Sequence, residues 1–281
     1  MCPALIDCDT LALRLNEPDL LIFDASLYLP NEGRDARGGF LSAHIPGARF
    51  FDIEVFSDTD TDLPHMLPSV GRFARLAGEL GISRKSRVVV YDQKGLFSAA
   101  RVWWMLRLFG HEQVAVLDGG LPMWAAGGRK IANGASIPAP KASFSPKLNA
   151  RLLRGLGDIE ANLTSQAALV LDARSAARFS GEAAEPSPGL ASGHIPGSRN
   201  LPYSTLLNEN ACFKAEQELR ALFSAAGVTE NRPVITSCGS GITAAILNLG
   251  LHLAGFDLGA LYDGSWAEWG SSEDTAKEQR T

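Results

Sequence analysis

Cysteine is scarce in this chain, with only Cys2, Cys8, Cys212 and Cys238. No two have C-x-x-C spacing, and no histidine-rich tract stands near them, so neither a metal site nor a disulfide framework is expected. Free thiols suit a reducing compartment. A strong charge of one sign is also missing. The net charge of −5 and pI near 5.6 leave no basic footprint for nucleic acid or an anionic membrane. No apolar run reaches the roughly 18 residues of a membrane span. The opening Met1-Cys2-Pro3-Ala4-Leu5-Ile6-Asp7 lacks the charged and apolar regions of a secretory signal, and Asp7, Asp9 and Glu17 argue against a transit peptide. The expectation is a soluble cytoplasmic protein with no nucleic-acid or membrane partner, and a monomer by default.

What is present is one pattern, written twice. Leu20-Leu21-Ile22-Phe23-Asp24 is a short apolar run ending in Asp, suited to a buried strand. His44-Ile45-Pro46-Gly47 follows as a turn. Ser69 can cap a helix with apolar positions Phe73, Leu76, Ala77 and Leu80, closed by Gly81. Val88–Asp92 reads as a second strand, Ala99–Phe109 as an apolar helix closed by Gly110, and Val114–Leu117 as a third strand leading to Asp118-Gly119-Gly120 and Trp124. A stretch rich in Gly, Pro, Ser, Ala and Lys then reads as an extended linker. After it the pattern restarts with Leu169–Asp172, His194-Ile195-Pro196-Gly197, Leu219, Leu222, Phe223 and Ala226, Val234–Cys238, Ala244–Ala254 and Asp263–Trp269. Asp92 to Asp118 is 26 residues and Cys238 to Asp263 is 25. Agreement this close over more than about 100 residues indicates tandem domains. We place them at 1–128 and 151–281, joined by a linker at 129–150. Strands alternating with helices imply α/β domains, each a mainly parallel sheet flanked by helices. The polar tail after Trp269 reads as frayed.

The second copy differs from the first at one loop, Ser237-Cys238-Gly239-Ser240-Gly241-Ile242-Thr243. Functional loops in such sheets lie beyond strand C-termini. A thiol reacts as its thiolate. Gly239 and Gly241 leave backbone N–H groups able to turn inward, and the next helix presents its positive N-terminus at the same place. Such a ring stabilises an anion on sulfur, and equally a sulfane sulfur carried on Cys238. Ser240 and Thr243 can add hydroxyl donors. A C-x5-R phosphatase loop shares this context but needs Arg six residues after Cys. Position 244 is Ala, which disfavours phosphoester chemistry. The first copy has Asp92 where the thiol stands. Cys2, Cys8 and Cys212 have no supporting loop and read as incidental thiols. The roles of Lys94 and Arg101, in and after the first loop, stay open.

On these motifs the chain resembles the two-domain rhodanese superfamily along nearly its whole length. Cys238-Gly239-Ser240-Gly241-Ile242-Thr243 is similar to the C-G-S-G-[VI]-T loop of its 3-mercaptopyruvate sulfurtransferases. Thiosulfate-specific members carry basic residues directly after the Cys, where this chain has Gly239 and Ser240. The resemblance implies two tandem rhodanese-like domains, the first lacking the catalytic Cys. It implies an enzyme in which Cys238 takes sulfur from 3-mercaptopyruvate, releases pyruvate and holds a persulfide. Cyanide or a thiol acceptor, such as a thioredoxin-like protein, then removes the sulfur. No metal or organic cofactor is implied. The alternatives are a thiosulfate sulfurtransferase and a non-catalytic persulfide carrier.

The resemblance also assigns supporting residues. Arg178 matches a substrate-binding arginine, and Gly239, Gly241, Ile242 and Thr243 form the rest of the substrate cradle. Ser240, His65 and Glu54 match a proposed acid–base relay, with Glu54 where the family often has Asp. A second family arginine should follow Glu185-Pro186, but Ser187 stands there. Arg174 and Arg199 are candidates to compensate. His44 and His194 occur in both copies although only one copy has the thiol, so they read as structural. The same holds for Asp118 and Asp263, Trp124 and Trp269, and Asp24 and Asp172.

Overall fold

The computed structural model describes residues 3–138 and 140–279, which leaves Cys2 outside. Contacts group the chain into two compact units. The first holds residues up to Thr59, Leu67–Asn149 and Glu209–Cys212, and the second holds Asp60–Met66, Ala150–Asn208 and Phe213 onward. Two short segments, 60–66 and 209–212, therefore belong to the unit opposite the one their sequence position suggests.

The first unit contains β1 (Leu5–Ile6), α1 (Cys8–Arg14), β2 (Leu20–Asp24), α2 (Ala36–Ser42), β3 (Arg49–Phe50), α3 (Val70–Glu79), β4 (Arg87–Tyr91), α4 (Ala99–Leu108), β5 (Val114–Leu117) and α5 (Gly120–Ala126). Its sheet is parallel with order β1-β5-β4-β2-β3. The central strand β4 is buried from Val88 to Tyr91, which explains its unbroken apolar run. α4 is buried at every residue except Arg107, so it is apolar nearly all round rather than striped. α3 starts where Ser69 Oγ accepts the Arg72 N–H at 3.3 Å, and it buries Phe73, Leu76 and Ala77. Gly81 follows at φ +83°, a left-handed conformation that favours glycine.

The second unit repeats the plan with β6 (Leu153–Arg154), α6 (Leu156–Ser165), β7 (Leu169–Asp172), α7 (Ala176–Ser180), β8 (Arg199–Asn200), α8 (Glu216–Ala225), β9 (Val234–Ser237), α9 (Ala244–Leu253), β10 (Ala260–Tyr262) and α10 (Ser265–Trp269). The order is β6-β10-β9-β7-β8, again parallel. Central β9 and the first eight residues of α9 are buried. In each unit the loop after the central strand therefore opens where neighbouring strands run to opposite sides, the usual place for a ligand in such sheets.

The stretch between the domains has little regular structure but is not a loose tether. Ala142 N–H donates to Gly78, Lys147 to Phe109 and Asn149 to Leu108, while Phe144 is buried edge-on to Phe73 at 5.6 Å. The tail corrects the expectation of fraying. Residues His194 and Glu278 exchange both backbone hydrogen bonds, Trp269 Nε1 donates to Ala276 O, and Thr275 Oγ1 donates to Trp269 O. A polar composition was misleading there because backbone pairing, rather than apolar burial, fixes the segment.

Candidate active site

Cys238 directly follows β9 and is 1% exposed. Its backbone N–H donates to Ser265 Oγ at 3.1 Å, and that hydroxyl donates onward to Tyr262 O at 2.8 Å. The Cys238 and Gly239 carbonyls accept from Trp266 and Ala267 N–H at 3.0 and 2.8 Å. The loop is thus pinned to the start of α10 through Cys238 N–H and two of its carbonyls. Among the described residues the N–H groups of Thr243 and Ala244 make no backbone hydrogen bond, while Ala245 N–H donates to Ile242 O at 3.3 Å. Thr243 caps α9 without using its hydroxyl. Gly241 has φ +75°, the turn that a side chain would strain.

What this ring can hold is visible in the first unit. Asp92 directly follows β4, as Cys238 follows β9. Asp92 Oδ2 accepts backbone N–H bonds from Phe97, Ser98 and Ala99 at 2.7, 2.9 and 3.0 Å, and Oδ1 accepts from Lys94 at 2.9 Å. By position after the strand, Phe97, Ser98 and Ala99 correspond to Thr243, Ala244 and Ala245. The loop is a carboxylate-binding nest in the first unit, and in the second a loop shorter by one residue before its helix carries the thiol at the matching position.

Arg178, on α7, reaches this loop. Arg178 Nη2 comes so close to Gly239 that a Cβ added there would lie 2.9 Å from it. Arg178 is held by Glu185, which accepts from Nε at 3.2 Å and from Nη2 in a short contact. Arg174 is committed elsewhere. It binds both Asp172 oxygens, Glu185 Oε1 at 2.7 Å and Gly193 O at 2.8 Å, with its guanidinium 4.5 Å from the Trp266 ring centroid. Arg199 is exposed and donates to Ala226 O. Neither compensates for Ser187, which is itself exposed.

His65 lies in the 60–66 segment that groups with the second unit, and its Nδ1 is 2.8 Å from Ser240 Oγ. His65 has φ +61°. That conformation costs a non-glycine residue roughly 1–2 kcal/mol, so the surroundings must hold it there. Glu54 belongs to the first unit, exposed, with its N–H on Asp52 Oδ1. Lys94 pairs with Glu32 at 2.8 Å, and Arg101 is buried over Trp104. His44 and His194 stack on Phe40 and Phe179, each with Nδ1 2.8 Å from that residue's carbonyl oxygen, which is a shared structural role. Cys8 and Cys212 are both buried, and burial raises their thiol pKa values, that of Cys212 to about 11. A cleft of about 390 Å³ opens beside the start of β9, but Arg154 and Arg232 in its wall are spent on carbonyls and no cysteine lines it.

Two residues here escaped the sequence reading. Ser265 was visible as the one departure from Gly120 in the otherwise repeated turn; both sit at left-handed φ, +49° and +55°. Glu185 gave no signal beyond an acidic residue beside Pro186.

The description "Rhodanese-like domain" matches residues 7–127 and again 156–272. The chain belongs to the rhodanese family. It is 43% identical to human 3-mercaptopyruvate sulfurtransferase, over 96% of this chain and 92% of that one. It is 44% identical to bovine thiosulfate sulfurtransferase, over 90% and 85%. The crystal structure of SseA from Escherichia coli, a 3-mercaptopyruvate sulfotransferase, superposes with a TM-score of 0.85 at 40% identity, covering 94% of this chain and 98% of that one. As in the first unit here, a rhodanese-like domain can therefore be built without the thiol.

Proposed function

We propose that this protein is a sulfurtransferase that moves sulfur from 3-mercaptopyruvate to a thiol or cyanide acceptor through a persulfide on Cys238. The observation that carries the reading is the pair of loops: Cys238 follows β9 as Asp92, held by four backbone N–H groups, follows β4. The thiolate is the form of a cysteine that acts as a nucleophile.

In the first step the Cys238 thiolate attacks the donor sulfur. An S–S bond forms, the C–S bond breaks, and its electron pair leaves with pyruvate as the enolate. The enolate takes a proton from the His65–Ser240 pair, which is hydrogen-bonded at 2.8 Å. Arg178 binds the donor carboxylate from beside Gly239. In the second step an acceptor thiolate, such as that of a thioredoxin-like protein, attacks the outer sulfur and restores the Cys238 thiolate. The covalent intermediate makes the kinetics ping-pong. Glu54 completes the relay only as a match to the family pattern. No helix among the described residues is long and apolar enough to cross a membrane. Free Cys8, Cys212 and Cys238 fit a reducing compartment, the cytoplasm. The test is turnover with 3-mercaptopyruvate against thiosulfate. Preference for 3-mercaptopyruvate is expected, and a clear preference for thiosulfate would overturn the donor assignment.

A further inference from the structure

Resting on the sulfurtransferase reading, we infer that Glu185 is the positioning residue that sets the charge of donor this site prefers. Its side chain is 2% exposed and accepts from two guanidinium groups at once. One is Arg174, fully buried and locked to Asp172. The other is Arg178, whose Nε and Nη2 are taken by Glu185 while Nη1 makes no hydrogen bond among the described residues. Glu185 therefore does two things. It ties the end of Arg178 to the Arg174–Asp172 pair at the end of β7, and it offsets the arginine's charge.

The charges in this cluster balance, with Arg174 and Arg178 against Asp172 and Glu185. Gly239, Ser240 and Ser187 add none. A donor meets one oriented N–H edge rather than an uncompensated cation. That arrangement suits a singly charged carboxylate on a donor whose thiol is protonated near neutral pH, as in 3-mercaptopyruvate. It is poor for a dianion such as thiosulfate, whose second charge would need a second cation. Ser187, two residues after Glu185 and exposed, supplies none.

The test is Glu185→Gln, which keeps the size and one acceptor oxygen but removes the charge. The ratio of kcat/KM for thiosulfate to that for 3-mercaptopyruvate should rise about tenfold, mainly through a lower KM for thiosulfate, and the gain should shrink with added salt. Glu185→Asp, which keeps the charge, should hold the ratio near that of the unaltered protein even if both activities fall. A Glu185→Gln ratio that does not move, with both donors losing activity in parallel, would overturn the inference and leave a structural role only. Calorimetric binding of thiosulfate to Cys238→Ser, with and without Glu185→Gln, separates the two claims. Tighter thiosulfate binding in the double variant supports the charge role even if the unaltered protein turns over neither donor, an outcome that would defeat only the sulfurtransferase reading.

Discussion

The loop after β4 and the loop after β9 have the same place in their two sheets, yet one is closed by its own carboxylate and the other is not. In the first unit, Asp92 fills the ring with four hydrogen bonds. In the second, Cys238 brings sulfur to the same position, and an Arg178–Glu185 pair flanks the loop beside Gly239. The difference extends below the loops. Asp172 at the end of β7 is neutralised by Arg174. Its counterpart Asp24, at the end of β2, has Ser26 two residues on instead, and accepts from Ser26 and Gln93. Burial there raises the Asp24 pKa to about 6. The two copies thus share the strand, loop and helix and differ in the residue that follows the central strand. The fold is built with either residue at that position, and on the proposed function the thiol is there for chemistry.

Exchanging the occupants breaks the comparison most severely. Cys238→Asp should abolish pyruvate release, by at least about 10⁴-fold. Its melting temperature should not fall, because Asp92 shows that the nest accepts a carboxylate. A large loss of stability in this variant would mean that the two loops are not equivalent. Next in size is His65→Ala. If the imidazole delivers the proton through Ser240, kcat for 3-mercaptopyruvate falls about 10²-fold. An unchanged rate and pH profile would reduce the 2.8 Å contact to a structural one. Asp92→Ala leaves buried N–H groups without an acceptor and should destabilise the first unit by about 3 kcal/mol in urea unfolding, with kcat per folded molecule retained.

The smallest effect concerns Asp24. Its folded pKa lies above the ordinary 3.8, so it contributes most stability below about pH 4 and loses that contribution as pH rises through about 6. The loss is on the order of 1–3 kcal/mol. Asp24→Asn should flatten the stability of the protein between pH 4 and 6. A slope equal to that of the unaltered protein would show that another group carries it.

Much of this was legible because strand and helix runs obey local rules. Leu20–Asp24, Val114–Leu117 and Leu169–Asp172 lie where their apolar runs end, and Ser69 with Gly81 marks α3. The nest was legible as glycines before a helix, and Cys238 with it. What the sequence hid depends on partners far apart along the chain. Glu185 gathers Arg174 and Arg178 only after α7 folds back, and the tail is fixed by backbone pairing with His194, whereas the pairing of His65 with Ser240 across 175 residues was suggested by the family resemblance alone. None of these leaves a periodic trace. Arg174 looked like a spare cation because nothing in its neighbours' spacing announces that Asp172 and Glu185 already occupy it.

The most direct test of an anion nest turned to sulfur chemistry is the mass of each cysteine-bearing peptide after exposure to 3-mercaptopyruvate alone, with no acceptor present. The peptide holding Cys238 should gain the mass of one sulfur. Cys8 and Cys212, whose thiols burial holds protonated, should gain none. A sulfur found on Cys8 or Cys212, or a Cys238 peptide of unchanged mass after pyruvate has been released, would contradict the account.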